Sequence, residues 1–204
     1  MSAVSPTVAL VDAGGANFAS VRHALERQGA RVRLARDADA LRGAQHIILP
    51  GVGAARPAMA LLRERGFDAA LRAVEVPLLG ICLGMQLMFE HSAEGDVQAL
   101  GILPGRVEAL PASAGVRVPH MGWNSIWPTR PAPLLEGLPA GAAMYFVHGF
   151  AAAHDEACIA RCVHGRPFAA AVQRDQVFGV QFHPERSGAA GARVLANFLR
   201  VAPP

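Results

Sequence analysis

Cys82 stands between two glycines in the segment GICLGMQLMFE, with Gly80 two residues before it and Gly84 two after. That is the G-x-nucleophile-x-G spacing of a nucleophile elbow. Its logic is steric. A nucleophile held up at a tight strand-to-helix turn needs a strained backbone, and neighbours without side chains let strand and helix close beneath it. PLLGI before the cysteine reads as a buried strand, and the residues from Leu83 onward read as a helix. The helix N-terminus would add positive potential and free N–H groups beside the sulfur, which favour thiolate over thiol. A buried structural cysteine with glycines for packing is the alternative reading of this segment alone.

A thiolate nucleophile needs a base. Of the eight histidines, His183 sits in a distinctive place, GVQFHPERS. It ends an apolar strand, and Pro184 stops further pairing there. Glu185, two residues on, can lie on the same side as the imidazole. It can orient that ring and stabilise its charged form, as the acid does in serine triads. A lone strand-end histidine before proline is commonly structural; the pairing with the elbow is what points to chemistry. Attack on a carbonyl also needs an oxyanion hole, and the N–H of Leu83 is one natural donor. LPGVGA at 49–54 follows a strand, and its glycines let backbone approach a substrate; a plain turn is the alternative. As a dinucleotide fingerprint, Gly51-Val52-Gly53 lacks the third glycine.

The elements that must position these groups alternate in the first half. TVALVD, RVRLA, HIILPG and PLLGI read as strands, the third stopped by Pro50. Asn17 is placed to cap a helix with Phe18, Val21 and Leu25 on one face. Residues from about 57 to 74 read as helical, with Gly66 as a break. The second half is β-rich: GRVEAL, WNSIW, AMYFVHGF, ACIARCVHG, FAAAVQRD and QVFGVQF, with a hairpin connection at Arg174-Asp175-Gln176. A last helix from about Gly188 to Arg200 turns Val194, Leu195, Phe198 and Leu199 inward. No linker or repeat divides the chain. The expectation is one α/β domain over residues 1–204, a flavodoxin-like open sheet, mostly parallel, with helices on both faces, extended by antiparallel strands in the C-terminal half.

Composition narrows the chemistry. Apolar residues make up 52% of the chain and charged ones 17%, as in a core-rich globule. All nineteen basic residues are arginine. Without lysine there is no Schiff-base site for pyridoxal phosphate and no Walker A loop. The arginines are scattered, so no nucleic-acid footprint is visible. Three cysteines do not suggest a disulfide framework. Cys158 and Cys162, four apart in a strand, are too far separated to bridge; they share a face with His164, without a metal-binding spacing. The start, MSAVSPTVALVDA, lacks a charged region and a long apolar run. The apolar stretch from Val76 to Phe89 is too short to span a bilayer. A cytoplasmic protein, with no membrane contact, no metal and no cofactor, is expected.

Together these segments resemble the class I (triad) glutamine amidotransferases over nearly the whole chain. Those that carry the resemblance are VDAGGANFASVRHAL, LPGVGA, GICLGMQLMF, VPHMGWNSI, YFVHGF and GVQFHPERSGAAGA. The G-x-C-x-G-x-Q and FHPE pair is specific for the class. PHMGWN and YFVH point to the glutaminase subunits of imidazole glycerol phosphate synthases, of histidine biosynthesis. The resemblance implies that Cys82 attacks the side-chain amide of glutamine through a glutamyl thioester, with His183 as base and acid and Glu185 as its orienter. It implies an oxyanion hole at Gly51, Val52 and Leu83. It implies glutamine contacts at Gly53, Gln86, Glu94, Gly149 and Phe150. It also implies a heterodimer with a (β/α)8-barrel cyclase that takes up the ammonia, through a face including Asn17, Met121, Trp123, Asn124 and Tyr145. After His148 that family usually has a hydroxyl residue and then an aromatic, commonly tyrosine; here stand Gly149 and Phe150, which implies the loss of a side-chain hydrogen bond to glutamine.

Rival readings differ in what they require. Amidotransferase subunits of anthranilate or pyridoxal phosphate synthesis would not carry PHMGWN. A non-catalytic protein of the same fold would not need Cys82, His183 and Glu185 intact. A free-standing cysteine hydrolase or peptidase would need no partner. Trp123 and Trp127 could alternatively be plain strand core.

Overall fold

A computed structural model describes residues 5–14, 17–112 and 115–202. Gly15 and Ala16, within the VDAGGANFASVRHAL segment, lie outside the described residues. Strand β1 spans Thr7–Val11, helix α1 Phe18–Arg27, β2 Arg31–Ala35, β3 His46–Gly51, α2 Ala55–Glu64, α3 Phe67–Arg72, β4 Leu78–Cys82 and the one-turn α4 Leu83–Gln86. Then follow β5 (His91–Ser92), β6 (Val97–Gln98), β7 (Arg106–Ala109), β8 (His120–Pro128), β9 (Ala142–His148), β10 (Phe150–Ala152), β11 (Cys158–His164), β12 (Arg166–Arg174), β13 (Val177–Val180) and α5 (Gly188–Arg200).

The main sheet has nine strands in the order β2-β1-β3-β4-β13-β12-β11-β8-β9. The first five run parallel, and the rest pair antiparallel. This is the expected flavodoxin-like parallel half with an antiparallel extension. Two apolar layers cover its faces. On one, α1 contributes Val21, Ala24 and Leu25, and α5 contributes Val194, Leu195 and Phe198. On the other lie α2 and α3, with Met59, Leu62, Phe67 and Leu71, together with a small sheet of β10, β7, β5 and β6. Burying each such leucine or phenylalanine contributes about 1.5–3 kcal/mol relative to exposing it. The small sheet was not visible in the sequence because strands of two residues, such as β5 and β6, are too short to show a period.

Four local expectations change. β3 runs through Pro50 to Gly51, pairing Pro50 with Ile81 and Gly51 with Cys82. Proline removes only its own N–H and leaves its carbonyl free, so the strand survives it. Asn17 precedes α1 without capping it; its side chain bonds Glu185 instead. The helix after Cys82 is a single turn, so what it offers the sulfur is unpaired first-turn N–H groups, not a long macrodipole. Finally, two register shifts between Cys158 and Arg161 interrupt the alternation of β11. Cys158 packs into one apolar layer, and Cys162, with Ile159 and Ala160, into the other. Burial pushes these thiols up to about 11 and about 12. Among the described residues no cluster of histidine, cysteine and acidic side chains could hold a metal. Among them, too, no helix is long and apolar enough to cross a membrane.

The elbow is where glycine is obligatory. A Cβ on Gly84 would stand 1.8 Å from the Leu49 carbonyl oxygen, and one on Gly80 would stand 2.7 Å from the Met85 backbone. Gly84→Ala is therefore expected to lower unfolding free energy by roughly 3 kcal/mol, as overpacking against backbone cannot relax by a rotamer change. Urea denaturation measures it; a loss below roughly 0.5 kcal/mol, the scale of a neutral surface change, would contradict the packing.

Candidate active site

Gly51, Cys82 and His183 meet because β3, β4 and β13 lie side by side and parallel. Gly51 ends β3 opposite Cys82, which ends β4. Val180 of β13 pairs with Ile81, so the chain that continues to His183 leaves the sheet beside the elbow. Ligands of open parallel sheets gather at these carboxyl ends. Cys82 has φ +53° and ψ −112°, a conformation that non-glycine residues rarely adopt. The strain expected of an elbow is thus present at the residue that needs it.

The imidazole of His183 faces Cys82 across the cleft, near enough for the sulfur to raise its pKa. Its Nδ1–H donates to Glu185 Oε1 at 2.9 Å. Asn17 Nδ2 donates to the same oxygen at 2.6 Å. The Glu185 side chain is wholly buried. The His183 backbone is fixed as well: its N–H donates to the Tyr145 carbonyl, and its own carbonyl accepts from the Ser187 hydroxyl at 2.7 Å. Burial disfavours a charged imidazole, but the adjacent Cys82 and the hydrogen-bonded Glu185 outweigh it, raising the His183 pKa to about 10. His183 is accordingly held as a proton donor at neutral pH.

A cleft of about 520 Å³ opens over the sulfur, lined by Asn17, Val52, Gly53, Cys82, Pro119, Val147, His148, Gly149, His183 and Arg186. Of the residues named from sequence, Cys82, His183, Val52, Gly53, Gly149 and Asn17 come together here. Gly53 has φ +97°, within reach of glycine alone. Gly51 is buried against α4, and Leu83 opens that helix. Gln86, Glu94 and Phe150 are not in the lining. Gln86 is buried, donating to the Phe150 carbonyl at 2.8 Å and to Gln181 Oε1 at 3.0 Å. Glu94 Oε2 accepts from the Ala55 N–H at 2.9 Å, satisfying the start of α2 where Ala54 offers no side-chain cap. Burial raises the Glu94 pKa, against that hydrogen bond.

Beside the cleft, β8 and β9 turn aromatic surface outward. Met121 is 65% exposed and Trp123 59%. Trp123 meets Tyr145 edge-on, and the Arg186 guanidinium lies 5.1 Å over the Tyr145 ring. Trp127 is 47% exposed and sits over Gly141, so it is not strand core. Asn124 points the other way, donating to the Val163 carbonyl and bonding the ring of His120.

Several participants were not singled out in the sequence. Gln181 is fully buried, with Nε2 3.7 Å from Cys82 Sγ. A polar residue in the apolar run VFGVQF was the available signal. His120 and His148 bond each other at 3.0 Å, and His148 Nδ1 donates to the Phe150 carbonyl at 2.8 Å. Burial and neighbouring histidine charge lower His120 to about 4. For His148, burial and the nearby histidines outweigh its bond to Phe150, giving about 3. Both rings are therefore neutral, and their pairing could not be read from a separation of 28 residues.

A strained cysteine, a protonated histidine and a buried glutamate at the carboxyl ends of a parallel sheet define a triad amidotransferase type of site. The profile of the glutamine amidotransferase class-I family matches residues 9–202. The chain belongs to that class, and within it to the HisH family. It is 58% identical over 197 residues to "Imidazole glycerol phosphate synthase subunit HisH" of Xanthomonas euvesicatoria pv. vesicatoria, covering 97% of this chain and 98% of that one. Against the HisH subunit of Xylella fastidiosa strain Temecula1 the identity is 56% over 194 residues, covering 95% and 97%. In structure it is similar to a crystallised glutamine amidotransferase, with TM-score 0.73 and 24% identity over 94% of this chain and 96% of that one. PurLQS from Thermotoga maritima gives TM-score 0.73 and 23% identity, over 96% and 98%. At that identity the structures speak for the fold.

Replacing Glu185 by glutamine removes one of the charges that raise His183. The His183 titration, followed by NMR of its ring, should fall from about 10 toward the ordinary 6.5. Because the folded-state value is the higher one, the stabilisation from this pairing is fully present below pH 6.5 and lost as pH rises through about 10. Wild-type denaturation midpoints should decline across that window, and those of Glu185→Gln should decline from a lower pH. An unchanged His183 titration in the variant would contradict the assignment.

Proposed function

We propose that residues 1–204 act as one glutaminase domain that releases ammonia from glutamine for a cyclase subunit of imidazole glycerol phosphate synthase. The observation that carries this reading is Cys82, strained at the elbow and sharing one cleft with a His183 that Glu185 holds charged.

The Cys82 sulfur attacks the carbonyl carbon of the glutamine side-chain amide, and the carbonyl π electrons move onto oxygen. N–H groups of the Leu83 turn and of the Gly51-Val52 segment stabilise that oxyanion. His183 gives its proton to the departing nitrogen, the C–N bond breaks, and ammonia leaves a glutamyl thioester on Cys82. His183, now neutral, takes a proton from water as that water attacks the thioester. The C–S bond breaks, glutamate departs and the thiolate–imidazolium pair returns. The balance is glutamine plus water to glutamate plus ammonia.

Gly53 and Gly149 present backbone along the cleft where the amino-acid end of glutamine would lie. Gln86 and Glu94 support it from behind, through the Phe150 carbonyl and the start of α2. Gly149 and Phe150 serve through their backbone, so the missing hydroxyl of the usual family pattern removes at most about 1 kcal/mol of binding.

Free ammonia is a poor end product, and the curated relatives are named as synthase subunits. The exposed Met121 and Trp123, beside Tyr145 and Asn17, form the docking face for a (β/α)8-barrel cyclase, and Asn124, turned to the other side of β8, supports it from behind. There ammonia would combine with a phosphoribosyl-formimino-carboxamide ribotide, giving imidazole glycerol phosphate and an aminoimidazole carboxamide ribotide. Such a pair would work in the cytoplasm.

Glutamate release from glutamine should be slow for the chain alone, strongly stimulated by the cyclase with its ribotide ligand, and absent in Cys82→Ala. Strong turnover by the chain alone would favour a free-standing hydrolase, and no turnover with the cyclase and its ligand present would sink the proposal. Trp123→Ala should raise the cyclase Kd by about 30-fold, the effect of removing an aromatic anchor worth roughly 2 kcal/mol. Calorimetry showing unchanged affinity would move the docking face elsewhere.

A further inference from the structure

Gln181 and Gln86 are two fully or nearly fully buried amides in an apolar setting, and their orientation can be deduced from one carbonyl. The Phe150 carbonyl oxygen can only accept, so the Gln86 group 2.8 Å away is its NH₂. The same nitrogen lies 3.0 Å from Gln181, which must therefore present its oxygen. The other end of Gln181, its NH₂, then faces Cys82 Sγ at 3.7 Å. A reversed Gln181 would set NH₂ against NH₂ and leave an amide oxygen facing sulfur. The chain of donors fixes one arrangement.

The sulfur has competing neighbours. The Val147 carbonyl lies 3.7 Å from Sγ and accepts from the neutral thiol. An N–H donor bonds the anion instead, more strongly than it bonds a thiol. The ionisable groups around Sγ are His183, Glu185 behind His183, and His148 and Arg186 across the cleft. None of these sits on the sheet side of the sulfur, where Gln181 emerges after β13 with its N–H bonded to the Ala170 carbonyl. We propose that Gln181 is a positioning residue for the nucleophile: its side-chain N–H, aimed by Gln86, holds the Cys82 sulfur as the anion from the side opposite the cleft.

This inference rests on the reading of Cys82 as nucleophile, and the test separates the two. The readout is the pH dependence of Cys82 alkylation by iodoacetamide in the isolated chain, followed by peptide mass spectrometry. Cys158 and Cys162, buried and with raised pKa values, give the unreactive background. Gln181→Met keeps the volume and removes the donor. Its rate-against-pH midpoint should move up by about one unit, and its rate at any pH well below both midpoints should fall about tenfold. A merely structural role would change the thermal melt and leave that midpoint in place. A folded Gln181→Met with an unmoved midpoint overturns the proposal. Should that variant not fold, the wild type still decides: the Gln181 side-chain NH₂ resonance should titrate together with Cys82 and stop doing so in Cys82→Ala. An NH₂ resonance indifferent to Cys82 overturns it equally. A wild-type Cys82 that resists alkylation throughout would overturn the nucleophile reading, and this one with it.

Discussion

The structure turns on one close approach, that of the backbone of Gly84 to the carbonyl of Leu49. A side chain at residue 84 would occupy the space of that oxygen. The contact presses the single turn of α4 onto the ends of β3 and β4. Cys82 is then left with positive φ and its sulfur raised above the sheet. Gly80 allows Met85 to seat below, and Gly51 allows Gly84 to pass. Strain of this kind costs on the order of 1–3 kcal/mol and persists only where its surroundings over-determine it. Here the surroundings are five parallel strands with an apolar layer on each face.

Electrostatics then complete what sterics begin. Glu185 is a buried carboxylate whose Oε1 serves both His183 and Asn17, while Oε2 finds no donor among the described residues. An acid so placed is costly unless a cation answers it, and the imidazolium is that cation. The neutral pair His120 and His148 sits close by, so burial separates one charged histidine from two uncharged ones within a single site. An uncharged His148 can anchor the Phe150 carbonyl without adding a second positive charge beside His183.

Much of this was legible in the residues. The alternation of strand and helix located the parallel half, and the glycine spacing around Cys82 marked the elbow. His183 and Glu185 could be paired because strand geometry puts residues two apart on one side. What escaped has physical reasons. Two compensating register shifts in β11, around Ala160, are irregularities that no pattern of alternation can announce, and they separate Cys158 from Cys162. Asn17 has the right type for a helix cap, yet a buried carboxylate 168 residues away competes for its amide and wins. Gln86 is placed from resemblance among the glutamine contacts, but its donors are taken by Phe150 and Gln181. Long-range partners of polar side chains follow from the tertiary packing, which local sequence does not encode.

The central claim is that the elbow presents Cys82, alone of the three cysteines, to the side-chain carbonyl of glutamine. The most direct measurement is covalent trapping with a diazoketone analogue of glutamine, followed by peptide mapping. Modification confined to Cys82, and slowed by added glutamine, is the predicted result. Modification of Cys158 or Cys162 instead, or labelling of Cys82 that glutamine does not slow, would contradict it.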